Sequence, residues 1–136
     1  MRLNSSRTAF AFFQKNISTE VEEFWIAALN PGLEILDKKL LFRGTVDSCM
    51  IHPRDMIRFL CLQNATSFLI AHNHPSGDSR PSRSDIQITK RILYLSCILE
   101  IPMNDHLILA GESYFSFADR GLIRKYSNYR SFRRSI

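Results

Sequence analysis

The chain has 136 residues, 45% of them apolar and 23% charged, which suits one domain with its own core and excludes a disordered or fibrous protein. No apolar run approaches the ~18 residues that span a bilayer, and the patch Ala9–Phe13 is too short for a secretory signal, so a cytoplasmic protein without membrane contact is expected. The net charge of +5 belongs to the C-terminus: residues 124–136 hold Arg124, Lys125, Arg130, Arg133 and Arg134 and no acid, and the remainder carries 13 basic and 13 acidic residues.

Ser5 or Ser6 is positioned to cap a helix over Arg7–Lys15. Glu20–Asn30 reads as a strand, rich in Phe24, Trp25 and Ile26. Asn30-Pro31-Gly32 is a turn, and Leu33–Phe42 returns as the second strand of a hairpin. Pro53 opens a helix at its first position, where the missing N–H costs nothing, with Ile57, Leu60, Cys61 and Asn64 at helical spacing. Ser67–Ala71 is a short buried strand. A second long helix starts after Ser82, its apolar face drawn from Ile86, Thr89, Ile92, Leu93 and Cys97, and Ile101-Pro102 ends it. Asp105–Ala110 and Tyr114–Phe117 form a final hairpin through Gly111-Glu112. This order predicts a mixed sheet packed against helices in one layered α/β domain. Cys49, Cys61 and Cys97 lack metal-site or disulfide spacing and are expected as buried thiols.

The segment His72–Asp85, HNHPSGDSRPSRSD, carries the chemistry. Residues i and i+2 of a strand share a face, so His72 and His74 can present two imidazoles together. Pro75-Ser76-Gly77-Asp78 turns the chain. Ser82 as N-cap places Asp85 in the first helical turn, facing back toward the strand end. Two His and one Asp supply three ligands and leave a fourth position open, the arrangement of a catalytic zinc ion. Without a metal, the same residues still make a well-formed strand–turn–helix junction, because an acid in the first turn favours the helix dipole.

These residues fit the pattern H-x-H-x7-S-x-x-D. The chain resembles the JAB1/MPN/Mov34 (JAMM) metalloenzymes, and in particular their bacterial RadC branch. The likeness extends through EEFWIAALN (22–30), LFRGTVDSCMIHPRDM (41–56), AHNHPSGDSRPSRSD (71–85) and DHLILAGESYFSFADRGL (105–122). The resemblance implies a three-layer, cytidine-deaminase-like JAB/MPN sandwich over residues 1–123; the basic stretch 124–136 is expected, from its charge and terminal position, to be a flexible tail. It implies one Zn2+ per chain, held by His72, His74 and Asp85. It also implies a glutamate on an early strand, acting as general base toward a zinc-activated water. Glu22 and Glu23 are adjacent and point to opposite faces, so only one can serve. RadC-like sequences place the acid two residues before a Phe, here Phe24, which selects Glu22. By the same resemblance the Ser82 hydroxyl stabilises an oxyanion as well as capping its helix.

His52 and His106 match positions typical of the RadC branch. Neither is expected to be a ligand; both are candidates for contacts that support the ligands, with capping or packing the simpler role for His52. Arg43 and Arg54 can bind a carboxylate or phosphate, but structural ion pairs are the expected role. Longer RadC proteins carry an N-terminal helix-hairpin-helix segment ahead of the part that this sequence resembles; a stand-alone short member is expected, with a fragment of a longer protein as the alternative.

Two functions follow as expectations. The first is a zinc-dependent hydrolase that cleaves an amide, peptide or isopeptide bond in a protein or peptide substrate. The second is a non-enzymatic metal-binding module in DNA repair or processing, whose basic tail, interleaved with Tyr126, Tyr129 and Phe132, docks nucleic acid or a partner. A two-metal nuclease is disfavoured, because one His2Asp set lacks the second group of carboxylates.

Overall fold

The structure is a computed structural model that describes residues 1–44 and 51–128. Its elements are α1 (Ser6–Gln14), β1 (Glu23–Leu29), β2 (Ile35–Arg43), α2 (Pro53–Leu62), β3 (Ser67–Asn73), α3 (Arg83–Leu99), β4 (Met103–Ala110), β5 (Ser113–Ser116) and α4 (Leu122–Ser127). The strands form one mixed sheet in the order β2-β1-β3-β4-β5. β1 is antiparallel to both β2 and β3, β3 and β4 are parallel, and β4 and β5 are antiparallel. The parallel pair needs a crossover, and α3 supplies it. No described helix is long and apolar enough to cross a membrane.

Strand alternation divides the core. Ala27, Leu29, Leu69, Ala71, Leu107 and Leu109 face α1 and its Ala9 and Phe13. Phe24, Ile26, Ala28, Phe68 and Ile70 face Met56 and Leu60 of α2 and Ile88 and Ile92 of α3. The sheet is therefore covered on both sides, as expected for this mixed α/β architecture. Every residue of β3 is buried, which explains why a central strand reads as a continuous apolar run. Continuing the same alternation past Ile70 sends His72 to the α3 face and Asn73 to the α1 face.

Local signals set the helix starts. Ser5 caps α1, its side chain accepting from the Thr8 N–H. Pro53 occupies the first turn of α2. β1 begins later than the sequence suggests, because Asn73 Nδ2 donates to the carbonyls of Ser18 and Val21, at 2.7 and 3.0 Å, and holds that approach segment out of the ladder. β2 begins after Leu33, whose φ of 62° belongs to the turn.

The expected burial of the cysteines is corrected for two of them: Cys61 and Cys97 are exposed, and Cys49 lies outside the described residues. The helix faces are rotated from the expected ones. α2 buries Met56, Phe59 and Leu60. α3 buries Asp85, Ile88, Thr89, Ile92, Leu93 and Ser96. Three of those six are polar, so a hydrophobicity pattern alone places the face wrongly.

The 123/124 boundary falls inside α4. Ile123 and Tyr126 pack on the α2–α3 core, and Lys90 Nζ lies 4.9 Å from the Tyr126 ring centre. Arg124 and Lys125 are exposed on this helix; Arg130, Arg133 and Arg134 lie outside the described residues.

Asp105 of β4 anchors the turn that leads from β5 to α4. Its carboxylate accepts from Ser116 Oγ at 2.5 Å, Ala118 N at 2.9 Å and His106 N at 2.7 Å. Burial, aided by the charge of Asp119, nonetheless raises its pKa from 3.8 to about 6. A raised acid binds its proton more readily folded than unfolded, so its contribution to stability falls as pH climbs from about 4 to about 6 and stays low above that. That rise corresponds to about 3 kcal/mol. Asp105→Asn removes the buried charge and keeps an oxygen for the two N–H donors. Thermal melts should show a flatter pH dependence for the variant across that window and a smaller wild-type advantage, or a variant advantage, at neutral pH; a parallel pair of curves would contradict this reading of Asp105.

Candidate metal centre

The site forms where β3 ends and α3 begins. His72, fully buried on the α3 face of β3, pairs in register with Phe24 of β1, and the two rings stack with centres 5.5 Å apart. His74 leaves the strand, but its N–H donates to Leu109 O of β4 at 2.7 Å, so its backbone remains fixed. The turn closes through Gly77 N–H to His74 O at 3.1 Å. Gly77 has φ +86° with open space at its Cβ position, so the need there is conformational rather than steric. Arg80 clamps Asp78 through Nη2 to Oδ2 at 2.7 Å and Nε to Oδ1 at 3.1 Å, and this pairing holds the Asp78 carboxyl down at about 2. The clamped turn presents Asp78 O to His74 Nδ1 at 2.7 Å. A carbonyl only accepts, so His74 Nδ1 carries the proton and, in the neutral ring, Nε2 carries a lone pair.

Asp85 comes from the other element. Ser82 caps α3 in a reciprocal box: Ser82 Oγ accepts from Asp85 N at 3.1 Å, and Asp85 Oδ2 accepts from Ser82 N at 2.8 Å. The cap turns a nearly buried carboxylate toward both imidazoles. His72 Nε2 lies 3.1 Å from His74 Nε2 and 3.1 Å from Asp85 Oδ1, and His74 Nε2 lies 3.1 Å from Asp85 Oδ2. Burial alone pushes the Asp85 carboxyl up, but its contacts with His72 and His74, and the Ser82 N–H, more than reverse this and hold it well below the usual carboxylate range. His74 is raised, first by its hydrogen bond to Asp85, against burial, with further help from Asp78 O and the Glu22 charge.

Whether these residues suit a metal can be tested by their spacing. Ligand atoms about 2.0–2.1 Å from a tetrahedral zinc ion are about 3.3 Å apart; the two imidazole nitrogens are 3.1 Å apart, and each lies 3.1 Å from one of the two Asp85 carboxylate oxygens. Two imidazole nitrogens and a carboxylate oxygen, each offering one ligand atom and all within 4.8 Å of one another, make a donor set that zinc accepts.

The two adjacent glutamates have different surroundings. Glu23 shares the α1 side with Asn73 and Trp25: its Oε1 accepts from Ser18 N at 2.8 Å and Trp25 Nε1 at 3.2 Å, and Arg43 Nε lies 3.5 Å from Oε2. Arg43 thus has a structural partner. Glu22 precedes β1 and is half-buried, and its charge acts on His74. Its carbonyl accepts from Gly44 N at 2.8 Å, which ties the end of β2 beside it.

His106 joins the cluster from β4. It is fully buried, with Nε2 2.8 Å from His72 Nδ1 and Nδ1 2.6 Å from Thr89 Oγ1. Burial, with the neighbouring His72, holds its pKa well below the ordinary histidine value. His52 is not brought to the cluster: it stands exposed at the α2 N-cap and makes no side-chain capping bond. Arg54 is likewise exposed, in the first turn of α2. Sequence reasoning missed Thr89, Asn73 and the Asp78–Arg80 clamp. Thr89 had a signal, since it lies four residues after Asp85 on the same helix face.

Residues 3–122 match the family model of the RadC-like JAB domain. The chain is 38% identical to the UPF0758 protein YfjY of Escherichia coli over 109 residues, 80% of this chain and 68% of that protein. It is 38% identical to UPF0758 protein YeeS, also of E. coli, over 88% of this chain and 81% of the relative. A third relative, UPF0758 protein STH371 of Symbiobacterium thermophilum, is 33% identical over 89% of this chain but only 52% of its own length.

Proposed function

Because the chain belongs to the RadC-like JAB domain family, we propose that it is a zinc-dependent hydrolase of the JAMM type that cleaves an amide, peptide or isopeptide bond. The observation that carries the proposal is the convergence of His72 Nε2, His74 Nε2 and the Asp85 carboxylate, with the two nitrogens 3.1 Å apart and each 3.1 Å from one of the carboxylate oxygens. A bound zinc ion would supply a Lewis acid and bring the pKa of a coordinated water to about 7.

The remaining chemistry falls to side chains of this chain. Glu22, close enough for its charge to raise His74, would take a proton from the attacking water and return it to the leaving nitrogen. Ser82 Oγ accepts from Asp85 N–H, so its own proton is available to donate to an oxyanion. The Asp78–Arg80 clamp would hold His74, and with it the rim of the site.

A second reading, a metal-binding module whose basic C-terminus docks nucleic acid or a partner, draws on the exposed Arg124 and Lys125 of α4. Incubating the zinc-loaded protein with peptide and isopeptide-linked substrate libraries, with mass spectrometry of the products, tests the first reading. Cleavage that a chelator stops would support it. A zinc-loaded protein that cleaves nothing, yet binds oligonucleotides with steep salt dependence, would favour the second.

A further inference from the structure

We propose that Thr89 and His106 are positioning residues that lock His72 in the tautomer with its proton on Nδ1, so that Nε2 turns a lone pair into the site. The proposal rests on the reading of His72, His74 and Asp85 as metal ligands, and it assigns the device that prepares His72, the fully buried histidine of the three.

The hydrogen-bond accounting starts at the far end. Thr89 Oγ1 lies 2.6 Å from the backbone oxygen of Asp85, one turn earlier on α3. Two oxygens that close need a proton between them, and a carbonyl has none, so the hydroxyl proton of Thr89 points to Asp85 O. Thr89 Oγ1 is also 2.6 Å from His106 Nδ1. With its single proton committed, the hydroxyl can only accept there, and His106 Nδ1 must donate. His106 is fully buried and neither ring nitrogen meets a carboxylate, so the ring is neutral and Nε2 holds a lone pair. That lone pair faces His72 Nδ1 at 2.8 Å, which must therefore donate. In the neutral His72 ring the unprotonated nitrogen is then Nε2, 3.1 Å from both His74 Nε2 and Asp85 Oδ1.

The rings have little freedom to escape this arrangement. His106 stacks on Phe117 with centres 4.8 Å apart and planes 10° apart, and Phe24 lies against both His106 and His72. Putting the proton on His72 Nε2 would require His106 to reverse its own tautomer and Thr89 to turn its proton away from Asp85 O, leaving the 2.6 Å oxygen–oxygen contact bare. The chain switches as a unit or not at all.

The relay also closes on itself. It begins at one ligand, His72 of β3, crosses to β4, and ends on the backbone of another, Asp85 of α3. Thr89 thereby ties the orientation of the imidazole to the position of the carboxylate. His74, by contrast, takes its tautomer from the peptide carbonyl of Asp78, so the two histidines are prepared independently and the relay acts on His72 alone.

The test uses Thr89→Val, which keeps the shape and loses the hydroxyl, beside Thr89→Ser, which restores it, in the full chain. Long-range nitrogen–proton NMR of the metal-free protein at alkaline pH should show His72 protonated on Nδ1 in wild type and Thr89→Ser, and a mixture or the Nε2 form in Thr89→Val. Cobalt(II) titration should show binding about 10- to 100-fold weaker in Thr89→Val and within about threefold of wild type in Thr89→Ser. A His72 proton on Nε2 in the wild type, or a folded Thr89→Val with wild-type tautomer and cobalt affinity, would overturn the proposal. If the wild type binds neither zinc nor cobalt, the metal reading itself fails, and the tautomer of the metal-free protein still decides the relay.

Discussion

Glu22→Gln is expected to slow hydrolysis by on the order of 10²- to 10⁴-fold, the usual contribution of a positioned general base, while the protein stays folded and binds zinc as before. The substitution keeps the side chain's shape and removes only its capacity to carry a proton. Glu22 is not among the three convergent ligands, so metal content should not change. Glu23→Gln is the control. Glu23 is spent on Ser18 N, Trp25 Nε1 and Arg43, and a glutamine oxygen can still accept from the first two. Its loss of activity should be slight and its melting temperature should carry any effect. If the outcomes exchange, with Glu23→Gln inactive and Glu22→Gln active, the assignment of faces at the start of β1 is wrong by one residue.

Asp85→Asn should weaken zinc binding by about 100-fold or more, since it removes the one anionic ligand, but it should leave α3 intact. The amide oxygen can still accept from Ser82 N–H, as Oδ2 does at 2.8 Å. Asp85→Ala should lose the metal equally and also lose its half of the capping box, at about 1 kcal/mol. The pH behaviour separates the partners further. His74 is raised chiefly by Asp85, so in the metal-free wild type that contact stabilises the fold fully below the ordinary histidine pKa and fades as pH rises through the folded value. Zinc needs the unprotonated ring, so stabilisation by the metal grows in the same direction. Melting curves with and without zinc should diverge as pH rises in wild type. In Asp85→Asn the metal-free slope should flatten and the divergence should disappear; a variant that keeps both would show that Asp85 is not a ligand.

The site was legible where local chemistry sets it. Ser82-x-x-Asp85 announces a capped helix start, which forms; His72-x-His74 announces two imidazoles presented together, and they converge although β3 ends at Asn73 and His74 lies just past it. The central strand and the Pro53 helix start were equally plain. The supporting contacts were not. That His106 meets His72 depends on the alignment of parallel β3 and β4, in which Ile70 pairs with His106, and no local signal carries that alignment. Thr89 looked like part of an apolar stripe, although its hydroxyl has two partners. Cys61 and Cys97 were expected inside because their neighbours are apolar; they are exposed because α2 buries Met56, Phe59 and Leu60, and α3 buries a face that includes Asp85, Thr89 and Ser96. Glu22 and Glu23 differ by one step of strand alternation, so their roles turn on the side of the sheet each faces, which the contacts of Glu23 with Ser18 and Trp25 make visible.

Metal content per chain, measured by elemental mass spectrometry on untagged protein beside His74→Ala and Asp85→Ala, tests the central claim most directly. About one zinc ion per wild-type chain and none in either variant is the expected result. A wild type that holds no metal even after zinc is supplied, or variants that hold as much as the wild type, would contradict it and leave the β3–α3 corner a structural junction.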